Sequence, residues 1–201
     1  MADPIEDIIG DYKAFAAQQR DRVAARGIDV TPYAISHIGY RVPEWDQYLH
    51  VRGLLERHAV ANREAFWNGR PMSLILFDQL EVLDGKKLPM VELMPPVHQR
   101  TYKMGMEHIG FVVGEAGFEE FRRVHRPVLT GQQFQGPTPG INEPYYILFE
   151  DFTHVKFHQR PLRETAEMTG GVFDGFRHLD GYAPQHLFTA TGPNPLPRRE
   201  D

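Results

Sequence analysis

Two tandem β-α-β-β-β modules, an α+β fold that curls a mixed sheet around a cleft behind an N-terminal helix, are predicted by three observations. Ser36-His37-Ile38-Gly39-Tyr40-Arg41-Val42 returns 71 positions later as Glu107-His108-Ile109-Gly110-Phe111-Val112-Val113. Ile75-Leu76-Phe77-Asp78 returns 72 positions later as Ile147-Leu148-Phe149-Glu150. Each copy also opens with a histidine in an apolar run, a costly place for a polar ring. Two echoes at nearly one interval point to a repeated folding unit, because drift within a single unit would not preserve the spacing.

The elements follow in order. Residues 4–26 read as an amphipathic helix, with Ile5, Ile8, Ile9, Tyr12, Phe15 and Val23 near a 3.6-residue period and Gly27 as its stop. This helix is expected to pack on the first module. Module one spans 31–96. Its strand is 33–42, ended by Pro43, and its helix 44–61. A short strand at 63–67 leads to the hairpin signal Asn68-Gly69, then a strand at 72–77. Asp84-Gly85 turns the chain into a last strand at 88–94, closed by Pro95-Pro96. Module two spans 104–160, with a strand at 106–113, a helix at 115–126, a Gly/Pro-rich loop at 132–144 and strands at 145–149 and 153–158. The predicted organisation is therefore a helical segment 1–30, a paired-module domain 31–165 and an extension 166–201. Phe173, Phe176, Leu179, Tyr182, Leu187 and Phe188 predict that the first part of the extension docks, and its end is expected to be mobile.

Composition narrows the function. At 201 residues and 41% hydrophobic there is ample chain for a core. A net charge of −5, with no basic run longer than pairs such as Lys86-Lys87, argues against nucleic acid as a partner. Having no cysteine excludes disulfides, thiolate nucleophiles and thiolate-bound metals. No apolar run approaches the ~20 residues that span a bilayer, and the acidic start lacks a signal pattern, so no membrane partner and a cytoplasmic setting are expected.

Strand alternation sorts the chemistry. Ile38, Tyr40 and Val42 share one face of their strand, and His37, Gly39 and Arg41 the other. In the echo, Ile109 and Phe111 oppose His108 and Gly110. In the closing strands Val91, Leu93, Val155 and Phe157 belong under the helices, whereas Glu92, His154, Lys156 and His158 face the cleft. The glycine two residues beyond each histidine, Gly39 or Gly110, predicts open space for a ligand. A buried carboxylate needs a partner. Lys156 or Arg41 would serve Glu92 as an ion pair, but a divalent metal satisfies His37, Glu92 and His108 together. This set of two imidazoles and one carboxylate suits Fe, Zn, Mn, Co or Ni and leaves positions open for substrate.

These residues resemble the vicinal oxygen chelate superfamily, which includes glyoxalase I, extradiol dioxygenases and methylmalonyl-CoA epimerase. Asp29-Val30-Thr31-Pro32, Ser36-His37-Ile38, Asn68-Gly69-Arg70-Pro71, Val91-Glu92-Leu93, Glu107-His108-Ile109 and Val155-Lys156-Phe157-His158 are similar to the YecM family, regarded as metal-binding. The resemblance covers about 28–165. It implies a metal at the seam of the modules, held by His37, Glu92 and His108 and open to a bidentate oxygen substrate. Where many members place a second carboxylate this chain has Lys156, so the fourth position falls to His158 or to water, and a glyoxalase assignment weakens.

The expected function is a metal-dependent enzyme acting on a small oxygenated metabolite, by isomerase, lyase or dioxygenase chemistry. Lys156 or His158 would move a proton, and Arg41 or Tyr102 would orient an anionic substrate. The alternative is a non-catalytic protein that binds metal or a small ligand. The loop 132–144 and the extension are candidate lids, and a homodimer is compatible with the resemblance.

Overall fold

The structure, a computed structural model, describes residues 4–67, 70–78, 80–95, 103–133, 140–179 and 182. The N-terminal helix is split into α1 (Glu6–Ile9) and α2 (Tyr12–Ala24). Gly10, at φ 85°, ends the first piece, and the Asp11 side chain accepts a 2.8 Å hydrogen bond from the Ala14 amide to start the second. In the first half follow β1 (Ala34–Arg41), α3 (Trp45–Glu56), β2 (Ala61–Trp67), β3 (Arg70–Leu76), β4 (Glu81–Leu83), β5 (Lys86–Lys87) and β6 (Met90–Met94). In the second come β7 (Gly105–Val112), α4 (Glu115–His125), β8 (Gly131–Gln132), β9 (Tyr145–Leu148) and β10 (His154–His158). Then come α5 (Leu162–Met168) and β11 (Phe176–Arg177).

Among the element boundaries that differ from the sequence reading, two follow directly from how the chain enters the sheet. Helix α3 stops at Glu56 rather than 61 because the Val60 amide already donates to Leu76 O of β3, which commits the chain to the sheet. The strand expected at 88–94 begins only at Met90. Asp84 and Gly85, both at positive φ, instead turn a separate ribbon of β4 and β5, and Pro89 has no amide to donate to a ladder. The Asn68-Gly69 turn lies outside the described residues.

Among the described residues, nine strands form one sheet in the order β11-β2-β3-β6-β1-β7-β10-β9-β8. The opening strands β1 and β7 pair antiparallel at its centre. Each is flanked by the closing strand of its own half in parallel, β6 beside β1 and β10 beside β7. The halves thus share one strand order and meet along the histidine-bearing strands.

The alternation read from the sequence sets the two faces. Ile38, Val91, Leu93, Ile109, Phe111, Val155 and Phe157 are fully buried on the outer face, with Tyr48 and Leu55 of α3, Phe121 of α4, and Tyr12, Phe15 and Val23 of α2. Each such side chain contributes about 1.5–3 kcal/mol of hydrophobic free energy. Helix α2 is not confined to the first half as expected; it contacts β4 but also β7 and β10. On the inner face a smaller apolar cluster joins Met72, Leu74, Leu76, Met90 and Met94 to Ala166, with Leu162 and Phe173 against it. This is where the extension docks. Strand β11 adds in parallel to β2, and Tyr182 packs on Trp45 and Phe66, while Leu187 and Phe188 lie outside the described residues.

Candidate metal centre

The central strands bring three predicted ligands together on the inner face. His37 of β1, Glu92 of β6 and His108 of β7 are all buried. Nε2 of His37 lies 3.1 Å from Nε2 of His108. Oε2 of Glu92 is 2.9 Å from Nε2 of His108 and 3.6 Å from Nε2 of His37. The glycines do not leave space for a ligand, as the sequence suggested. In the β1–β7 register His37 stands opposite Gly110, and His108 opposite Gly39. A Cβ on Gly39 would sit 2.2 Å from the His108 ring, and one on Gly110 would sit 2.7 Å from that of His37. Each glycine holds the other half's imidazole.

The same register carries two bulges, one between Ile35 and His37 and one between Gly39 and Tyr40. The unpaired residues, Ser36 on β1 and Glu107 on β7, immediately precede the two histidines, and each holds the ring that follows it. Bulges re-aim side chains in this way. Nδ1 of His37 is 2.9 Å from Ser36 Oγ, which also accepts a hydrogen bond from the Leu162 amide. Nδ1 of His108 is 3.4 Å from Glu107 Oε1. An ionised carboxylate only accepts, so Glu107 orients the His108 ring from its Nδ1 side, with Nε2 turned toward Glu92.

Burial works against the charge on Glu92, but His108, Lys156 and His37 outweigh it and hold the carboxyl well below its usual range. Burial likewise holds the His37 ring far below the ordinary histidine range, the attraction of Glu92 opposing this only in part. Oε2 of Glu92 is buried and makes no hydrogen bond, although Nε2 of His108 lies 2.9 Å away. Metal–nitrogen bonds of about 2.0–2.1 Å put neighbouring ligand atoms roughly 3.0–3.4 Å apart, close to the separations found. The three residues therefore fit a divalent cation. Glu107, His108 and His154 also come within ligand distance of one another. There, however, the guanidinium of Arg41 already neutralises Glu107 through Nε and, at 3.2 Å, Nη2.

The other predicted residues divide. Lys156 and His158 line the same cavity as His37 and Glu92. Burial lowers the Lys156 pKa, opposed by Glu92 and Glu107, and the ammonium makes no direct ion pair with Glu92. Burial brings the His158 ring down to about 3, its centroid is 5.2 Å from that of His37, and neither ring nitrogen has a hydrogen-bond partner. Arg41, expected at the substrate, does not line the cavity; the bulge at Glu107 brings it a carboxylate, and Pro95 O and Met94 Sδ accept from its remaining N–H groups. Tyr102 lies outside the described residues. The cavity, about 330 Å³, is walled by Met72 and Leu74 of β3, by Leu162 and Ala166 of α5, and by Gln133 and Asn142 from either side of the loop. It also holds Arg63, which the sequence reading passed over. The signal was its place on β2 two residues before Ala65, which puts both on one face.

The family model described as YecM protein matches residues 4–142. The chain belongs to the YecM family. No curated protein matches it. Among solved structures, this YecM chain is similar to a structural-genomics protein, EC4020, at 22% identity and a TM-score of 0.62, over 83% of this chain and 93% of that one. Methylmalonyl-CoA epimerase from Mycobacterium tuberculosis is similar at 12% identity and a TM-score of 0.43, over 71% and 99%. The fosfomycin resistance protein FosX from Listeria monocytogenes, complexed with Mn(II) and sulfate, is similar at 15% identity and 0.27, over 67% and 95%. The expected fold class, α+β with one large mixed sheet, stands. Among the described residues no helix is long and apolar enough to cross a membrane.

Proposed function

We propose that this protein is a divalent-metal-dependent enzyme acting on a small oxygenated metabolite, with His37, Glu92 and His108 as the metal's ligands. The observation that carries the reading is the buried Glu92 Oε2, charged and without a hydrogen bond, within 3.6 Å of two imidazole nitrogens whose far sides are held by Ser36 and Glu107. A bound cation would act as a Lewis acid toward two neighbouring substrate oxygens. Everything else falls to the chain's own groups. His158, with both ring nitrogens unengaged, faces the same cavity and is placed either to complete the metal's ligand set or to exchange a proton with bound substrate. Lys156, depressed by burial, is the second proton carrier. Apolar residues of β3 and α5 exclude water around them.

The test begins with elemental analysis of untagged protein and of His37→Ala, Glu92→Ala and His108→Ala. Stoichiometric metal is expected in the parent and a loss of most of it in each variant, with the fold retained by circular dichroism. Unchanged metal content in all three would overturn the reading. Turnover of 2-oxo acids, catechols and hydroxy acids by the loaded protein separates an enzyme from a binding protein, and O₂ uptake separates oxygenase from proton-transfer chemistry.

A further inference from the structure

The register of the sheet draws a straight row across the inner face. Arg63 of β2 stands opposite Leu74 of β3, Leu74 opposite Glu92 of β6, Glu92 opposite Gly39 of β1, and Gly39 opposite His108. Directly opposed residues share a face, and strands are spaced about 4.8 Å apart, so Arg63 and Glu92 are roughly 10 Å apart with Leu74 between them. Arg63, Leu74 and Glu92 all line the one cavity.

Arg63 is half-buried and makes no hydrogen bond or ion pair with any described residue, and burial alone depresses its pKa. The carboxylates around it are engaged elsewhere. Glu64 points to the other face, where it accepts from Tyr48, Arg52 and the Leu179 amide. Glu56 holds Asn62 and His178, and Asp174 holds Arg177. The guanidinium is seated where the chain leaves α5: a Cβ on Gly171 would fall 2.5 Å from Arg63 Nη1. Among the described residues lining the cavity, Glu92 is the one carboxylate, against two cations, Arg63 and Lys156. Once Glu92 is committed to a metal, the far end of the cavity carries an uncompensated positive charge.

We propose that the substrate carries a second, terminal oxyanion, carboxylate or phosphate, and that Arg63 is its anchor, with a short carbon chain lying over Leu74 toward the metal face. This rests on the metal reading above. A guanidinium binds either oxyanion through two parallel N–H groups, which fixes orientation as well as charge. Arg63 therefore assumes the role that the sequence gave to Arg41.

The test is calorimetric titration of the metal-loaded full chain with 2-oxopentanoate, 2-oxoglutarate and 2-oxo-4-phosphonobutanoate, the metal content of each sample being measured alongside. The two charge-terminated acids should bind about tenfold or more tighter than the methyl-terminated one, the scale of a charge-assisted hydrogen bond. Their order identifies the oxyanion. In Arg63→Met that advantage should vanish while metal content and 2-oxopentanoate affinity stay as in the parent, and Arg63→Lys should keep part of it. Equal binding of all three acids by the parent, an undiminished advantage in Arg63→Met, or no binding by any of them would overturn the proposal. Failure with stoichiometric metal present would strike only this inference. Absence of metal from the parent, unchanged by His37→Ala, would strike the reading beneath it.

Discussion

Each imidazole of the proposed metal site is shaped by two residues outside the proposed ligand set. The residue before it, Ser36 or Glu107, is thrown inward by a bulge and holds Nδ1. The glycine across the strand pair, Gly110 or Gly39, gives the ring room to lie flat on the sheet. Alternation alone would have put Ser36 and Glu107 on the helix side, since they neighbour His37 and His108. An added methyl at Gly39 would meet the His108 ring at 2.2–2.6 Å, below any real contact, and the ring rather than the backbone must give way. Gly39→Ala is therefore expected to lower stability by about 1–3 kcal/mol, as overpacking does. Bound metal should fall by about tenfold or more, the effect expected when a ligand loses its orientation. Elemental analysis beside a urea melt checks both. A variant that keeps full metal would mean that His108 does not need its present pose.

At the scale of elements, the strand faces were legible because a period of two survives wherever the ladder is regular, and α2, α3 and α4 because each carries an apolar stripe, whereas the short α5 was not read. Ile38, Val91, Ile109 and Phe157 fall where alternation puts them. What was hidden depends on register and on long-range pairing. No local pattern announces a bulge, so the capture of Arg41 by Glu107 was invisible. Arg63 acquires meaning only when β2 pairs with β3 and β3 with β6. Helix α3 shows the same dependence on its polar side. Its Tyr48 is fully buried, donates to Glu64 Oε1 at 2.6 Å and meets Ser73 Oγ at 2.8 Å, while Arg52 reaches the same carboxylate oxygen at 2.7 Å. Tyr48→Phe keeps the ring and its stack on Trp45 but strips a donor from a buried carboxylate. A loss of about 1–3 kcal/mol is expected in chemical denaturation. A loss within a few tenths would mean that Arg52 alone satisfies Glu64. Because Glu64 Oε2 also accepts from Leu179 N, the variant should loosen the β11 segment, read as faster amide exchange at residues 176–179.

Across the whole molecule, the two halves are joined by the β1–β7 pairing on one side and by α2 on the other. Helix α2 reaches the β4 ribbon and also the turn between β9 and β10. There Arg22 grips Asp151 with two hydrogen bonds, of 3.1 and 2.9 Å, and reaches Thr153 Oγ1 at 2.8 Å, which Gln19 also contacts at 3.3 Å. Partial burial works against the Asp151 charge, but the hydrogen bonds from Arg22 and Thr153 prevail and lower its pKa to about 2. A carboxyl depressed in the folded state stabilises above its unfolded pKa, near 3.8, and that stabilisation fades as the pH falls through the folded value. The clasp is well solvated, so its worth at neutral pH is at most about 1 kcal/mol. Asp151→Asn should melt slightly below the parent at all pH values above about 4.5. The gap should then close steadily between about pH 4 and pH 2, where the parent's own carboxyl takes up its proton. A gap that stays constant down to pH 2 would show that Asp151 acts through packing, and that α2 is held to the second half by its apolar face alone.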